Sequence, residues 1–290
     1  KQGTRAQLQA EWQLLQTLRQ RQYDLIIHLT NHPRGAWLSL ILRPRWAVAP
    51  ANPRRPGLWQ RAFTHRYRVL GGNRRHTVDL HLDALRCLGL IVQRDTLPLV
   101  LHPSANAHAE IARLLRFHGL QGKDFLHFHP ASRWLFKCWP IDRAVAWLRL
   151  AHAQGHRLVL TGAPQGEEAH YVTQIITAVP EIPLVNLCGQ LTLPMLGALS
   201  AQARVFVGMD SAPMHIAAAM QTPTVALFGP SGDIEWAPWQ TPMRVLTATQ
   251  FHCRPCGQDG CAGSKRSDCL DAITPEQVMA AVNDLLAQFA

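Results

Sequence analysis

Hydrophobic positions along the chain follow two periods, one typical of helices and one of short buried strands. Near the start, the spacing of Leu8, Trp12, Leu15 and Leu18 predicts an amphipathic helix over residues 6–22. The elements predicted next are a strand at 23–30, a helix at 33–42, a strand at 46–49, a Pro- and Arg-rich loop at 50–57, a helix at 73–88, a strand at 97–101 and a helix at 104–118.

A more regular alternation begins at residue 125. The predicted strands are 125–128, 157–160, 183–187, 205–207 and 224–228, and the predicted helices between them are 141–153, 167–179, 193–201 and 213–220. Such alternation implies a parallel sheet covered by helices on both faces. The run from Thr274 to Gln277 is a helix-start signature, and Val278, Val282, Leu285 and Phe289 lie on one face of the helix that it opens.

Length and composition favour two domains and a folded, globular chain. With 290 residues the chain is long for a single core, and 47% hydrophobic with 17% charged residues is typical of globular proteins. We place the boundary near Gln121-Gly122, which gives domains 1–121 and 122–273 and a C-terminal helix, 274–290, expected to pack back towards the N-terminal domain. Without a bilayer-length apolar run or a secretory signal, a cytoplasmic location is expected.

The formal net charge of +10 is concentrated in one segment. Between Asp24 and Asp79 there is no acidic residue, and the arginines there are Arg34, Arg43, Arg45, Arg54, Arg55, Arg61, Arg66, Arg68, Arg74 and Arg75. Such a field favours an anionic partner, namely nucleic acid, anionic lipid headgroups or a phosphorylated substrate; a solvated basic face is the plainer alternative. The segment has no nucleic-acid module signature, so no nucleic-acid partner is expected.

Polar residues come directly after the apolar strand at 205–207. Asp210 and Ser211 follow its carboxyl end and start the next helix, and His215 lies one helical turn further on. In an open parallel sheet ligands bind beyond the carboxyl ends of the strands, and the N–H groups that begin a helix attract phosphate. The plainer interpretation is that Asp210 or Ser211 only caps the helix and His215 is a surface residue.

Two further strand ends carry polar residues. The run FHPASRWLFKCWP, residues 128–140, offers the hydroxyl of Ser132 and the point charge of Lys137, which suits phosphate oxygens. The run TGAPQGEE, residues 161–168, offers Glu167 or Glu168 to ribose hydroxyls, although an acid in the first turn also suits the helix dipole. Polar sites at three strand ends of one sheet favour a nucleotide diphosphate ligand.

The combination of these two runs with VGMDSAPMHIAAAMQTPTVALFGPSG, residues 207–232, resembles the family 9 glycosyltransferases, the ADP-heptose:lipopolysaccharide heptosyltransferases of Gram-negative bacteria. The runs FKCW at 136–139, AFTH at 62–65 and LGGN at 70–73 resemble the heptosyltransferase III group of that family. The resemblance covers nearly the whole chain. It implies a GT-B fold, with two Rossmann-like domains facing a cleft, and inverting heptose transfer that needs no metal or other cofactor.

The resemblance also implies the partners and the donor-binding residues. The donor would be ADP-heptose and the acceptor the anionic inner core of lipopolysaccharide, presented at the cytoplasmic face of the inner membrane. Lys137 and the N–H groups around Ser211 and Ala212 would hold the diphosphate, and Asp210 the sugar hydroxyls. His215 would approach the phosphates or heptose and Ser132 the phosphates, Glu167 (or Glu168) would hold the ribose, and Leu191 would lie near adenine.

One departure from the family concerns the catalytic base. The family carries a catalytic aspartate in an N-terminal Gly-Asp motif, and nothing like that motif precedes Ala6. The N-terminal βα unit is therefore expected to be missing, and no catalytic residue is assigned. The alternative function is a catalytically incomplete protein that binds a nucleotide sugar. The epimerases that share this architecture are disfavoured by the FKCW and DSAPMH motifs.

Four cysteines form a C-x2-C-x4-C-x7-C pattern in a Gly-rich loop: Cys253, Cys256, Cys261 and Cys269. Four thiolates at this spacing could bind zinc structurally, and a cytoplasmic location disfavours disulfides. A basic nucleic-acid-binding protein with a zinc cluster is a further alternative that this pattern allows. The resemblance implies no metal role for these residues.

Overall fold

A computed structural model describes residues 4–93 and 97–289 of the chain. It divides into two compact units, Lys1–Arg94 and Asp95–Ala290. The outer limits of the predicted domains, residues 1 and 290, lie outside the described residues. Each unit is an α/β structure built on one parallel sheet.

The first unit has a three-stranded sheet in the order β1-β2-β3, with both pairings parallel. Its elements are α1 (Thr4–Gln20), β1 (Leu25–Ile27), α2 (Pro33–Leu42), β2 (Trp46–Pro50), α3 (Pro56–Ala62), β3 (His65–Tyr67) and α4 (Thr77–Arg86). The predicted helix at 33–42 is confirmed at both ends. The strand predicted over 23–30 is confirmed only at its centre.

Helix α3 and strand β3 were not predicted, because the loop assigned to residues 50–57 hides the start of α3. Pro56 occupies the first turn, where a missing N–H costs nothing. The helix is held by its buried face: Trp59 is 1% exposed, and its indole N–H donates to the carbonyl of Pro50 at 3.0 Å. Ala62 and Phe63 join Trp59 in the same small core. Tertiary packing thus decides a helix whose own sequence favours a turn.

The second unit has a six-stranded, fully parallel sheet in the order β6-β5-β4-β7-β8-β9. Its elements are α5 (Ala105–Phe117), β4 (Phe125–His129), α6 (Ile141–Ala153), β5 (Arg157–Leu160), α7 (Glu167–Thr177), β6 (Val185–Asn186), α8 (Leu193–Gln202), β7 (Val205–Met209), α9 (Ala212–Ala219), β8 (Thr224–Leu227), β9 (Met243–Leu246), α10 (Asp268–Asp271) and α11 (Pro275–Gln288). The alternation predicted from residue 125 onwards is confirmed; β9 and α10 were not predicted.

The strand predicted at 97–101 does not form. The carbonyl of Leu97 accepts the indole N–H of Trp239 at 2.8 Å, so it does not pair with a neighbouring strand. The side chain of Leu101 lies against α8, where a Cβ on Gly197 would come within 2.8 Å of it. The apolar residues of this run therefore pack against the second unit without forming a strand.

The division between the two units differs from the predicted boundary at Gln121-Gly122. Helix α5 precedes that boundary, yet Ile111 and Leu115 are buried in one cluster with Phe125 and Val159 of the second unit. Helix α11 likewise buries Val278, Val282 and Leu285 in the main core of the second unit, where it packs on α6. Both helices belong to the second unit because its core covers their apolar faces. The sequence alone does not show which core covers a given apolar face.

None of the helices in residues 4–93 and 97–289 combines the length and apolar content that crossing a bilayer requires.

A network of ion pairs between four charged side chains stabilises α4. Arg75 and Arg86 each pair with both Asp79 and Asp83 at 2.7–2.9 Å. Burial alone would raise the pKa of either carboxyl, but hydrogen bonds from the two arginines outweigh it and leave both pKa values below the ordinary range. Because the pKa is lowered by folding, the stabilisation is complete above the ordinary aspartate pKa of about 4 and is lost as the pH falls through the folded value.

We expect Asp79→Asn to lower the free energy of unfolding by about 1–3 kcal/mol at pH 7, since two arginines lose a partner that is 13% exposed. The difference from wild type should shrink below pH 4. Urea denaturation against pH measures both. The control is Glu11→Gln, whose pair with Arg34 is about half exposed and should contribute at most ~0.5 kcal/mol. An equal loss for Asp79→Asn at pH 3 and pH 7 would contradict this account.

Candidate functional site

The order of the larger sheet creates one position where the chain reverses its direction of winding. From β4 the chain first adds β5 and β6 on one side, and then returns to add β7, β8 and β9 on the other. The carboxyl ends of β4 and β7 are therefore neighbours, while the connections that leave them run to opposite sides. This is the topological switch point, where open α/β sheets bind their ligands.

An ion pair joins the two strands at the switch point. Lys137 lies in a 3-10 turn, Leu135–Lys137, after β4, and its Nζ donates to Oδ2 of Asp210 after β7 at 2.6 Å. The side chain of Asp210 is 7% exposed and that of Lys137 is 24% exposed. A carboxylate so buried depends on its partner for charge compensation. The two residues chosen from separate sequence motifs are thus brought into direct contact.

Helix α9 begins next to this ion pair without a side-chain cap among the described residues. Ser211 is its N-cap in extended conformation, but its hydroxyl donates to the carbonyl of Met209 at 3.4 Å instead of accepting from the helix. Asp210 is engaged by Lys137. The capping explanation that the sequence left open is therefore not what the structure shows. Pro213 has no N–H, so Ala212 and its neighbours provide the donors at this end.

A hydrogen bond joins the start and the end of the loop that carries Ser132 and Lys137. The N–H of Ser132 donates to the sulfur of Cys138 at 3.2 Å, and Ser132 itself is 4% exposed. Burial raises the pKa of the Cys138 thiol to about 12, and the nearby charge of Glu168 adds to the rise. Cys138 is thus a packing thiol that connects the start and the end of the loop.

The remaining predicted residues follow other strands at the same edge of the sheet or lie further along α9. Glu167 is the first residue of α7, after β5, and is exposed; Glu168 is half-buried. Leu191 follows β6 and is half-buried against the α5–α8 side of the sheet. His215 lies in α9, with its ring 6.4 Å from that of Trp236. All predicted site residues therefore follow the carboxyl ends of β4, β5, β6 and β7.

Sequence reasoning missed a buried polar chain at the same edge. His127 and His129 point to the face of β4 opposite Leu126 and Phe128, which belong to the main core. The hydroxyl of Thr161, just after β5, lies 2.8 Å from Nε2 of His127 and 2.8 Å from Nδ1 of His129. Nδ1 of His127 lies 3.2 Å from the hydroxyl of Ser200 in α8. The signal in the sequence was the run FLHFH, in which His127 and His129 lie two residues apart and therefore on one face of a buried strand.

Both imidazoles are neutral at physiological pH. Burial lowers the pKa of His127 to about 3, helped by His129, and burial alone lowers the pKa of His129 to about 4. Their exposed fractions are 0% and 7%. The hydrogen-bonded row from Ser200 to His129 therefore consists of uncharged groups. It lies at the same edge of the sheet as the charged Lys137 and Asp210.

Ser231 is a second residue that sequence reasoning missed. It lies in the Gly-Pro-Ser-Gly turn after β8, and its hydroxyl is buried without a hydrogen-bond partner within the described ranges. β8 is the neighbour of β7, so this hydroxyl follows the strand next to Asp210. An unsatisfied buried hydroxyl is costly, which is a reason to expect a ligand or water there.

The cysteine pattern does not form a metal centre in this structure. Cys253 is exposed, Cys256 and Cys261 are half-buried and Cys269 is buried. Across the parts of the chain that the structure describes, no three His, Cys, Asp or Glu side chains come together in a way that could hold a metal ion. The zinc alternative suggested by the spacing therefore finds no support from the geometry.

Comparisons with known proteins agree with this architecture. The model of glycosyltransferase family 9 (heptosyltransferase) matches residues 11–266. A lipopolysaccharide heptosyltransferase 3 of Escherichia coli is 33% identical over 276 residues, which is 94% of this chain and 78% of that protein. These matches agree with the resemblance seen in the motifs.

Two solved structures show the same fold. A family 9 glycosyltransferase from Veillonella parvula superposes with a TM-score of 0.80 at 21% identity, covering 99% of this chain and 81% of that one. The E. coli ADP-heptose lipopolysaccharide heptosyltransferase II superposes with a TM-score of 0.73 at 23% identity, covering 96% and 80%. The predicted fold class, α/β of the GT-B type with parallel sheets, is confirmed.

We expect the two buried histidines to make the stability of the chain depend on pH between about 4 and 6.5. Their folded pKa values lie below the unfolded value of about 6.5, so each takes up a proton on unfolding and stability falls as the pH falls, by about 1.4 kcal/mol per pH unit per histidine. Urea denaturation of wild type and His129→Gln should show a shallower pH dependence in the variant. Protonation of either ring near pH 6 in the folded protein, seen by NMR, would contradict this.

Proposed function

The chain belongs to glycosyltransferase family 9, and we propose that it transfers L-glycero-D-manno-heptose from ADP-heptose to the inner core of lipopolysaccharide, with inversion at the anomeric carbon. The observation that carries the proposal is the Lys137–Asp210 ion pair, at 2.6 Å, beside the uncapped start of α9. A cation and a helix N-terminus at a topological switch point suit a nucleotide diphosphate.

The diphosphate would bind where Lys137 and α9 meet. An ammonium group has three donors, and Asp210 takes one of them, so two remain for phosphate oxygens. The N–H groups around Ser211 and Ala212 supply further donors together with the positive end of the helix dipole. Asp210 would hold Lys137 in place before the donor arrives, and so reduces the side-chain ordering that binding requires.

The same groups would assist the chemical step. In inverting transfer the acceptor hydroxyl oxygen attacks the anomeric carbon from the face opposite the leaving group, its proton passes to a general base, and the bond from that carbon to the β-phosphate oxygen breaks. No residue is assigned as that base. ADP departs with the electron pair and gains negative charge. In this proposal Lys137 and the α9 amides would face the charge that develops, and preorganised donors of this kind lower the barrier.

The other predicted residues would complete the donor site. In this proposal Asp210 also binds sugar hydroxyls, Ser132 and His215 approach the phosphates or heptose, Glu167 or Glu168 holds the ribose, and Leu191 lies near adenine. Their common position after the carboxyl ends of four adjacent strands supports this assignment. Glu168 is half-buried and Glu167 exposed, which favours Glu168 for a contact that must order a side chain.

Similarity over nearly the whole chain supports an enzyme over a catalytically incomplete binding protein. The E. coli heptosyltransferase 3 match covers 94% of the chain and includes the first unit as well as the donor-binding sheet. Transfer of heptose from ADP-heptose to heptose-deficient lipopolysaccharide, followed by release of ADP, is the direct test of the activity.

The first unit would face the acceptor and the membrane surface. Of the arginines between Asp24 and Asp79, only Arg75 is not exposed, because it is held in the α4 network. The others are exposed, and Arg34 among them pairs with Glu11. In this proposal the exposed guanidinium groups bind phosphate groups of an anionic glycolipid at the cytoplasmic face of the inner membrane. Exposed basic side chains contribute about 1 kcal/mol each near an anionic bilayer.

We expect Lys137→Ala to weaken ADP binding about 10- to 100-fold, since a charge-assisted hydrogen bond and its Coulomb term are lost. Isothermal titration calorimetry measures the dissociation constant. The control is Lys265→Ala, a lysine of the same unit whose pair with Asp259 is exposed. Because Asp210 is left unpaired, a thermal unfolding curve checks that the variant is folded. Unchanged ADP affinity in a folded variant would rule out this site.

We expect the double variant Arg54→Gln/Arg55→Gln to bind more weakly to vesicles that contain anionic lipid, by about 2 kcal/mol, with little change on neutral vesicles. Both residues are exposed in the loop before α3. Co-sedimentation at low and physiological salt measures the binding. Arg113→Gln/Arg116→Gln, on the exposed face of α5, is the matched control. Equal binding by both double variants would count against a basic docking face in the first unit.

A further inference from the structure

His129 is the last residue of β4, at the switch point. It pairs in register with Gly208 of β7, and Asp210 lies two residues further along the chain, just past the end of β7. With strands about 4.8 Å apart and a rise of about 3.3 Å per residue, the Cα atoms of His129 and Asp210 are separated by roughly 8 Å. Gly208 places no side chain between them, and a Cβ there would come within 2.7 Å of the Phe206 ring.

One nitrogen of His129 has no protein partner. Nδ1 is bonded to Thr161, but Nε2 makes no hydrogen bond to any residue in the described parts of the chain. It is not among the buried polar atoms that lack a partner, so it reaches the surface through the 7% of the residue that remains exposed. The ring is thus more than nine-tenths buried, with one polar atom open at the carboxyl edge of β4.

The hydrogen-bond chain couples the state of this nitrogen to Thr161. The Thr161 hydroxyl has one proton and touches two neutral imidazoles, so it donates to one and accepts from the other. If it donates to Nδ1 of His129, Nε2 of that ring carries the N–H. His127 then donates from its Nε2, and its Nδ1 accepts from the Ser200 hydroxyl. In the opposite state Nε2 of His129 is a bare acceptor.

We propose that His129 is a positioning residue for the donor diphosphate, to which it donates an uncharged N–H from Nε2, and that Thr161 and His127 hold the ring in the tautomer that can donate. The inference rests on the proposed function, because it needs the diphosphate at Lys137 and α9. A phosphate oxygen can only accept, so it selects the state in which Nε2 carries the proton. The two states hold the same number of protons, so selecting one of them leaves the net charge of the site unchanged.

An uncharged donor suits this position for an electrostatic reason. Lys137 already pairs with Asp210, and a second cation in the same buried edge would carry a desolvation cost and repel Lys137. Burial keeps His129 neutral, so it can add a hydrogen bond to the diphosphate while the charge balance of the site stays with Lys137 and Asp210. The polar chain that reaches back to α8 would serve no packing purpose that two apolar side chains could not serve better.

The test is the dissociation constant of ADP and of adenosine, measured by calorimetry for the full chain. In His129→Phe we expect ADP to bind about 10-fold more weakly and adenosine to bind as in wild type, because only the contact to phosphate is lost. His129→Gln keeps an N–H near the position of Nε2 and should recover part of the affinity. Thr161→Val keeps the shape of the side chain, releases the tautomer, and should weaken ADP binding by about threefold.

Two matched substitutions control for unspecific effects. Thr173→Val removes a hydroxyl that donates to Ala169 on the exposed side of α7, and His152→Phe alters a histidine at the end of α6. Both should bind ADP as wild type does. For wild type with ADP bound, long-range proton–nitrogen NMR should show the proton of His129 on Nε2.

The outcomes separate this inference from the proposed function. If wild type does not bind ADP, the proposed function fails and takes this inference with it. If wild type binds ADP and Lys137→Ala weakens it, but His129→Phe binds within twofold of wild type, only the role of His129 is overturned. It is also overturned if His129→Phe weakens ADP and adenosine by the same factor, which indicates a damaged fold, or if Nε2 carries no proton in the ADP complex.

Discussion

The ion pair between Lys137 and Asp210 fixes the site because it connects the two strands between which the sheet reverses its order. Neither β4 nor β7 alone creates a binding edge; the edge exists because parallel strands place both carboxyl ends side by side. The 2.6 Å contact then holds the loop after β4 against the start of α9. Since Asp210 is almost fully buried, the pair can be broken only at the cost of an uncompensated carboxylate. The proposed diphosphate site would therefore need little rearrangement to bind its ligand.

Charge and hydrogen bonding are divided between different residues at this edge. The lysine and the aspartate compensate each other, while the histidines of β4 are kept neutral by burial. The Thr161 hydroxyl, shared between two rings, makes their tautomers depend on each other. A site that must hold an anion in the ground state and a more highly charged leaving group later gains from such a division. Each donor is oriented in advance, and little reorganisation is left to the reaction.

The first unit uses arginine in two ways. The guanidinium groups of Arg75, just before α4, and Arg86, at its end, form ion pairs with Asp79 and Asp83 and stabilise the helix. The other arginines of the segment from Asp24 to Asp79 are exposed and give that segment its positive surface charge. The sequence could show that this segment is basic. It could not show which arginines form ion pairs. The acidic partners Asp79 and Asp83 lie in α4, where the basic segment ends, and only the fold shows that Arg75 and Arg86 contact both of them.

Local pattern determined the elements of the second unit, because strands buried on both faces and amphipathic helices each leave a clear period. The helix at 141–153 and the strand at 157–160 were predicted to the residue. The family motifs likewise pointed to Lys137 and Asp210, but their contact was decided by the strand order, which brings residues 73 positions apart together. Tertiary structure alone also revealed α3, the assignment of α5 and α11 to the second unit, and the chain from Ser200 to His129. In each case a distant buried partner supplies the stabilisation, and the period of a single segment contains no information about that partner.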